Sequence, residues 1–233
     1  MSDEPTYPCS LSLTRRIEDF PIGNIPLSQH PRGGDVSSPH SIRYPWDLLR
    51  ANELYVSSLT ENSIQGEVHS SAVIEGIVHI GPGTRILPGV FIEGNVVIGA
   101  NCKIGPNCYI RGNTSIGDNC HIGQSVEIKN CLILSHSNVG HLSYIGDSVL
   151  GEKVNLGAGT TTSNLRHDGK NHRSMAGGAL VDTGRRKFGS IIGDGVHTGI
   201  NTSIYPGRKL WPHTTTRPGE IVQHDVQSQI SNL

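Results

Sequence analysis

Isoleucine and valine recur along this chain at a spacing of six: Val68, Ile74, Ile80, Ile86, Ile92, Ile98, Ile104, Ile110, Ile116, Ile122 and Ile128. Four residues after most of them stands a small side chain: Thr84, Val90, Val96, Cys102, Cys108, Thr114, Cys120 and Val126. Neither the 3.6-residue period of a helix nor the two-residue period of a strand fits. A hexapeptide repeat does. Three short strands close one triangular coil, and each aliphatic residue and its small partner point inward to stack on their equivalents one coil away. The pattern predicts an all-β parallel β-helix with coils about 4.8 Å apart. After Ile128 the register slips by one to Ile133, Val139 and Ile145, then again to Leu150, Leu156 and Thr162. It resumes at Ile192 through Thr198, Ile204 and Leu210, with Val196 and Thr202 inside. Together these make roughly seven coils, a prism about 34 Å long at the strand spacing.

The rest of the chain falls around this ladder. Residues 1–43 are rich in Pro, Ser and Gly and read as an irregular arm. Residues 44–60 hold the stretch YPWDLLRANELY, in which Leu48, Leu49, Ala51, Leu54 and Tyr55 roughly follow helical spacing behind Pro45. A short helix is expected there, covering the open N-terminal end of the solenoid. The β-helix should occupy 61–222, broken by a loop at 163–187, with Pro206, Pro212 and Pro218 marking weaker repeats and a polar tail at 223–233.

Composition sharpens the picture. Aromatics at 5% and 29 glycines suit a core of aliphatic ribs turned at tight corners. A formal net charge of -1 argues against nucleic acid as a bulk partner. No apolar run is long enough to span a membrane, and MSDEPTYPCS lacks a signal-peptide pattern. Of five cysteines, Cys102, Cys108 and Cys120 fill inward positions, and no CxxC pair exists. The expectation is a reduced, cytoplasmic protein without structural metal. The Gly-rich run from Gly81 to Pro88 is similar to the nucleotide-binding signature of sugar nucleotidyltransferases, but Ile80, Thr84 and Ile86 hold it in ladder register, so it is read as structural.

Chemistry gathers at the corners. Positions 75, 93, 111 and 129 form one column and read Glu75, Glu93, Arg111, Lys129. Two stacked cations repel, so the column calls for an anionic ligand or acidic neighbours, and Glu127 is a candidate for the latter. The slips enclose His141, near the same coils and suited to act as a base near neutral pH. The loop ends in the basic run Thr183-Gly184-Arg185-Arg186-Lys187, a candidate phosphate holder.

The motifs YPWDLLRANEL, IRGNTSIGDNCHIG, VEIKN, HLSYIGDS, VNLGAGTTTSNLRHDGK and DTGRRKFGSIIGD make residues 44 to about 225 resemble a known family. It is the acetyltransferase half of the bifunctional glucosamine-1-phosphate acetyltransferase/N-acetylglucosamine-1-phosphate uridyltransferases, in their archaeal sugar-1-phosphate nucleotidyltransferase form. The resemblance implies a left-handed β-helix and a homotrimer with sites between subunits, toward which loops such as 163–187 reach. It implies acetyl-CoA as co-substrate and no metal. The family's base falls on His141, with Glu127 nearby. Its sugar-phosphate ligands fall on Arg111, Lys129 and Tyr144, with Asn155 contacting substrate and Lys170 the match for a further lysine. Asn164 matches an active-site asparagine and is a candidate oxyanion stabiliser, and Ala158 lies on the acetyl-CoA side, where Arg185, Arg186 and Lys187 would hold phosphate. The departures are Leu165 in place of Tyr, an inserted Arg166-His167, and Ile200 where a small serine stands near the thioester. The nucleotidyltransferase domain has no counterpart in the sequence.

The implied function is N-acetylation of glucosamine-1-phosphate or galactosamine-1-phosphate. Two other classes compete. One is a non-catalytic trimeric module that binds sugar phosphate and partners a separate nucleotidyltransferase. The other is a zinc carbonic anhydrase of the same fold, which would use His136 and His141; the third ligand position is Ala100, with His121 as a substitute.

Overall fold

The computed structural model describes residues 10–11, 15–30 and 42–227. Parts of the predicted arm and tail, and Cys9, lie outside these residues. The six-residue period folds into three parallel walls. Wall I runs from Ser63–Ile64 to Arg208–Leu210 and wall III from Val73–Glu75 to Ile221–Val222, eight strands each. Wall II has six strands, Glu67–Val68 to Asn155–Leu156, and is extended by isolated bridges at His197 and Thr215. The ladder is therefore one layer longer than the seven coils expected. Coil-to-coil register follows the sequence, with Ile86 opposite Ile104 and Ile110 opposite Ile128. After the slip Ile116 meets Ile133 and Ile128 meets Ile145. Wall I ends further along than expected: Val226 bridges to Leu210, and Asp225 pairs with Lys209 at 2.8 Å, so the start of the predicted polar tail packs on the fold.

The inward column is dry. Ile104, Ile110, Ile116, Ile122, Ile128 and Ile145 have no exposed surface. Each such burial contributes about 1.5–3 kcal/mol. Hydroxyls among them satisfy corner carbonyls: Thr84 Oγ1 donates to Gly99 O at 2.6 Å and Thr114 Oγ1 to Arg111 O at 2.9 Å. Four described cysteines are free and buried, and burial pushes the Cys108 and Cys131 thiols up to about 12, so they stay protonated.

The helix forms where the sequence predicts it, as α1 (Asp47–Ser57), but not over the open end. It lies along wall I. Leu132, Leu134, Val149 and Ile191 face outward there and pack with Leu48, Leu49 and Ala51 of the helix, and with Leu11, Phe20, Ile22 and Leu27 of the arm. The larger apolar surface is on this flank, so the helix goes there. Asn52 fixes its register, accepting from Ser115 Oγ at 2.6 Å and donating to Asn113 O at 3.0 Å. The end of the first coil stays open, with Ile64 and Val68 exposed. Among the described residues, no helix is long and apolar enough to cross a membrane.

Beyond the first coil, departures from the 18-residue coil fall at one corner, between walls III and I. The corner shortens at Asn130 and Asp147, which adopt left-handed φ of 52° and 49°. At the same corner the chain then leaves wall III after Thr162 and returns at Ser190. The intervening loop holds an antiparallel hairpin, Arg173–Ala176 with Ala179–Asp182. Its ends meet where Phe188 N donates to Asn164 O at 3.0 Å. His172 is buried at its centre, bonded to the same carbonyl at 3.0 Å.

Candidate active site

The cation column holds as a stack: Arg111 is in register with Lys129, and Lys129 with Gly146. Each cation has its own carboxylate. Glu127 takes Arg111 at 2.7 Å, and Asp147 takes Lys129 Nζ at 2.7 Å. Arg111 also lies over the Tyr109 ring, 5.3 Å from its centroid. Glu127 therefore belongs to Arg111, and it makes no hydrogen bond to His141. Above Lys129 the column ends in glycine for a reason of space. A Cβ on Gly146 would stand 2.6 Å from Tyr144 Oη and 2.7 Å from Asn164 Nδ2, which cross over it.

Those two atoms are bonded to each other. Asn164 Nδ2 donates to Tyr144 Oη at 3.0 Å and to Asp147 Oδ2 at 2.6 Å. Burial, then the charge of Asp147, holds the Tyr144 phenol above its ordinary range, so it stays protonated. The Asn164 amide has spent both hydrogens, which leaves it none for an oxyanion in this arrangement. Its open atom is the carbonyl oxygen.

His141 is at another corner. It ends its strand on wall II opposite Gln124 and is exposed, beside Leu142, which turns the corner at φ 50° and is 67% exposed. Ala158 sits directly over it: Gly159 N donates to His141 O and Asn201 N to Ala158 O. Ile200 comes next in this column, 54% exposed. The Ala158 N–H has no partner among the described residues. Asn155 is exposed on wall II, in register with Asn138 and His197. His121, in the same outward column, is held below its ordinary pKa by burial and then by Lys103.

The structure thus gathers Arg111, Lys129, Tyr144 and Asn164 on wall III and the corner beyond it. It gathers His141, Ala158 and Asn155 on wall II and the opposite corner. The three loop cations diverge. Arg185 turns back to bind Glu53 of α1, so its guanidinium is already taken. Arg186 joins Lys170, Arg166, Arg173 and Arg208 around an open cleft of about 730 Å³. Lys187 is exposed, its carbonyl bonded by Arg185 Nε at 3.3 Å. Among the described residues, no three His, Cys, Asp or Glu side chains cluster to hold a metal.

Asp147 was missed by sequence reading. It is 2% exposed and accepts from Lys129, Asn164 and Asn130, the last at 3.0 Å. It follows Lys129 by eighteen residues, but the shortened corner puts Gly146 in register with Lys129 and leaves Asp147 one place past the cation column.

These features define a hexapeptide-repeat parallel β-helix carrying a polar, cation-bearing cluster on one wall and an exposed histidine at the next corner. The chain belongs to the family of GMPPB C-terminal domains, whose family model matches residues 92–218. It is 41% identical over 182 residues to the bifunctional sugar-1-phosphate nucleotidylyltransferase/acetyltransferase of Sulfurisphaera tokodaii, covering 78% of this chain and 45% of that protein. It is 42% identical over 188 residues to the bifunctional protein GlmU of Methanococcus aeolicus, covering 81% and 45%. The chain therefore spans about half the length of the curated relatives it matches. A solved perosamine N-acetyltransferase from Caulobacter crescentus, 18% identical, covers 67% of this chain and 50% of its own at a TM-score of 0.28, a likeness too slight to carry an argument.

Proposed function

We propose that the chain is an acetyl-CoA-dependent N-acetyltransferase acting on an amino-sugar 1-phosphate, glucosamine-1-phosphate or galactosamine-1-phosphate. The observation that carries this reading is the pairing of an exposed histidine, stacked under Ala158, with the Arg111–Lys129–Tyr144 cluster. The cluster takes the phosphate, which displaces part of the Glu127 and Asp147 interactions and positions the amine. The amino sugar reacts as its free amine, the ammonium having given one proton to water, and His141 takes the next proton from the nitrogen as it attacks the thioester carbonyl. The Ala158 N–H meets the oxyanion, and collapse expels the CoA thiolate, which recovers that second proton from His141. Asn155 contacts the sugar, and Lys170 and Arg186 offer charge to phosphate in the loop cleft.

The two groups of residues lie on different corners of one prism. A second copy facing wall III across wall II of the first would complete the site, which supports a homotrimer. The test is thiol release from acetyl-CoA, offering each amino-sugar phosphate in turn, with His141→Ala beside the wild type. Turnover lost in the variant supports the reading; no turnover from folded protein overturns it. The second reading is a trimeric sugar-phosphate-binding module serving a separate nucleotidyltransferase. It draws support from the chain's half-length match to bifunctional relatives, and binding without turnover would favour it.

A further inference from the structure

Three donors converge on one buried carboxylate. Lys129 Nζ and Asn164 Nδ2 both reach Asp147 Oδ2, at 2.7 and 2.6 Å, and Asn130 Nδ2 reaches Oδ1 at 3.0 Å. The Asn130 amide cannot turn, because the same nitrogen also donates to Glu53 Oε1 of α1 at 2.7 Å. Lys129 has only donors to offer. An acceptor on both sides is thus required of residue 147, and a carboxylate supplies it. The Asn164 amide is the free variable. With Asp147 in place its NH2 faces inward, to the carboxylate and the Tyr144 oxygen. Among the described residues its Oδ1 has no partner, and it keeps some exposed surface.

We propose that Asp147 is a positioning residue that sets the orientation of the Asn164 amide, so that the site presents a hydrogen-bond acceptor to an N–H or O–H of the bound ligand. This rests on the acetyltransferase reading above. Asp147 touches no reacting atom itself. An amide at position 147 would set its own NH2 either against Asn130 or against Lys129 and Asn164. Asn130 is held by Glu53 and keeps the amide oxygen on its side. Facing the NH2, Asn164 would turn over, offering the ligand a donor where it needs an acceptor.

The test exchanges the two residues. Asp147→Asn should lower kcat/KM by about tenfold or more, the scale of a misplaced hydrogen-bonding group. Adding Asn164→Ala to it should cost less than about twofold further, because coupled residues do not add. The swap Asp147→Asn with Asn164→Asp reverses the bond, placing a donor at 147 that faces a carboxylate at 164, whose second oxygen is again an acceptor for the ligand. It should recover most of the loss. A purely structural role would leave the swap as damaged as the single variant, and this result would overturn the proposal, as would an Asp147→Asn enzyme within about twofold of wild type. If Asp147→Asn fails to fold, the swap against Asn164→Ala carries the same test: the swap must be the more active. Should wild type itself show no turnover, the acetyltransferase reading falls and calorimetric binding of glucosamine-1-phosphate replaces activity. Binding weakened in Asp147→Asn and restored in the swap supports the orientation role; equal binding in all forms overturns it.

Discussion

Walls I and III are built on the same inward ribs, Ile98, Ile116 and Ile133 on one and Ile92, Ile110 and Ile128 on the other, all essentially without exposed surface. Their outward residues differ. Wall I offers Leu132, Val149 and Ile191, and the arm and α1 bury them. Wall III offers Tyr109, Glu127 and Tyr144, flanked by Arg111 and Lys129, and among the described residues no helix packs over them. In a strand successive side chains point to opposite faces. The inward half of a hexapeptide repeat therefore fixes the shape, and the outward half is free to make one wall an attachment surface and another a binding surface.

The comparison is tested hardest at the exposed histidine. His141→Ala should reduce kcat by about a hundredfold or more, the contribution of a positioned general base. Being exposed, it should leave the unfolding midpoint unchanged, which a denaturant titration checks. Next comes the cover of wall I. Leu132→Ala should cost about 2–5 kcal/mol as a buried large-to-small change. It should sensitise the arm to proteolysis while KM for the amino-sugar phosphate stays near wild type. On wall III the roles reverse. Lys129→Ala should raise that KM by about tenfold or more, since a charge-assisted contact is worth about 1.5–3 kcal/mol, with the fold intact by circular dichroism.

The smallest effect concerns the loop. Burial holds the His172 pKa below its ordinary 6.5, with smaller opposing and reinforcing contributions from the Asn164 carbonyl and Arg166. The unfolded chain then binds the proton more readily than the folded one. His172 therefore contributes stability that is present above pH 6.5 and lost as pH falls below it. Thermal unfolding followed from pH 7.5 down to about 5.5 should show a decline that His172→Gln reduces.

Much of this was legible in the sequence because it repeats. Ile80 to Ile128 announced the coils, and column arithmetic stacked Arg111 on Lys129 before any coordinates. Carried one coil further across the slip after Ile128, the same arithmetic reaches Gly146, so Asp147, one place beyond, was read only as part of the motif HLSYIGDS. What no spacing rule showed is where α1 lies, since Leu132, Val149 and Ile191 stand beside the repeat positions and not on them. The Glu53–Arg185 contact likewise joins residues with no repeat in common, across a loop whose path only packing decides. Leu54, grouped with the helix's apolar face by spacing, is 46% exposed because the face that packs is set by wall I.

The arm that lashes wall I sets an order of events during synthesis. Leu11 O accepts from Asp194 N, near the far end of the prism, and Arg15 pairs with Glu152 at 2.9 Å. Phe20, Ile22 and Leu27 pack in the same cluster as Val149 and Ile191. A segment early in this sequence is thus seated on coils made much later. At about 5–20 residues per second, the arm waits roughly 10–40 s for its berth to be translated. In that interval its apolar side chains have no partner, and the coils behind them close one by one. A solenoid otherwise held together only between adjacent layers is then tied along its length. The strap can close only after the coils it crosses have been made.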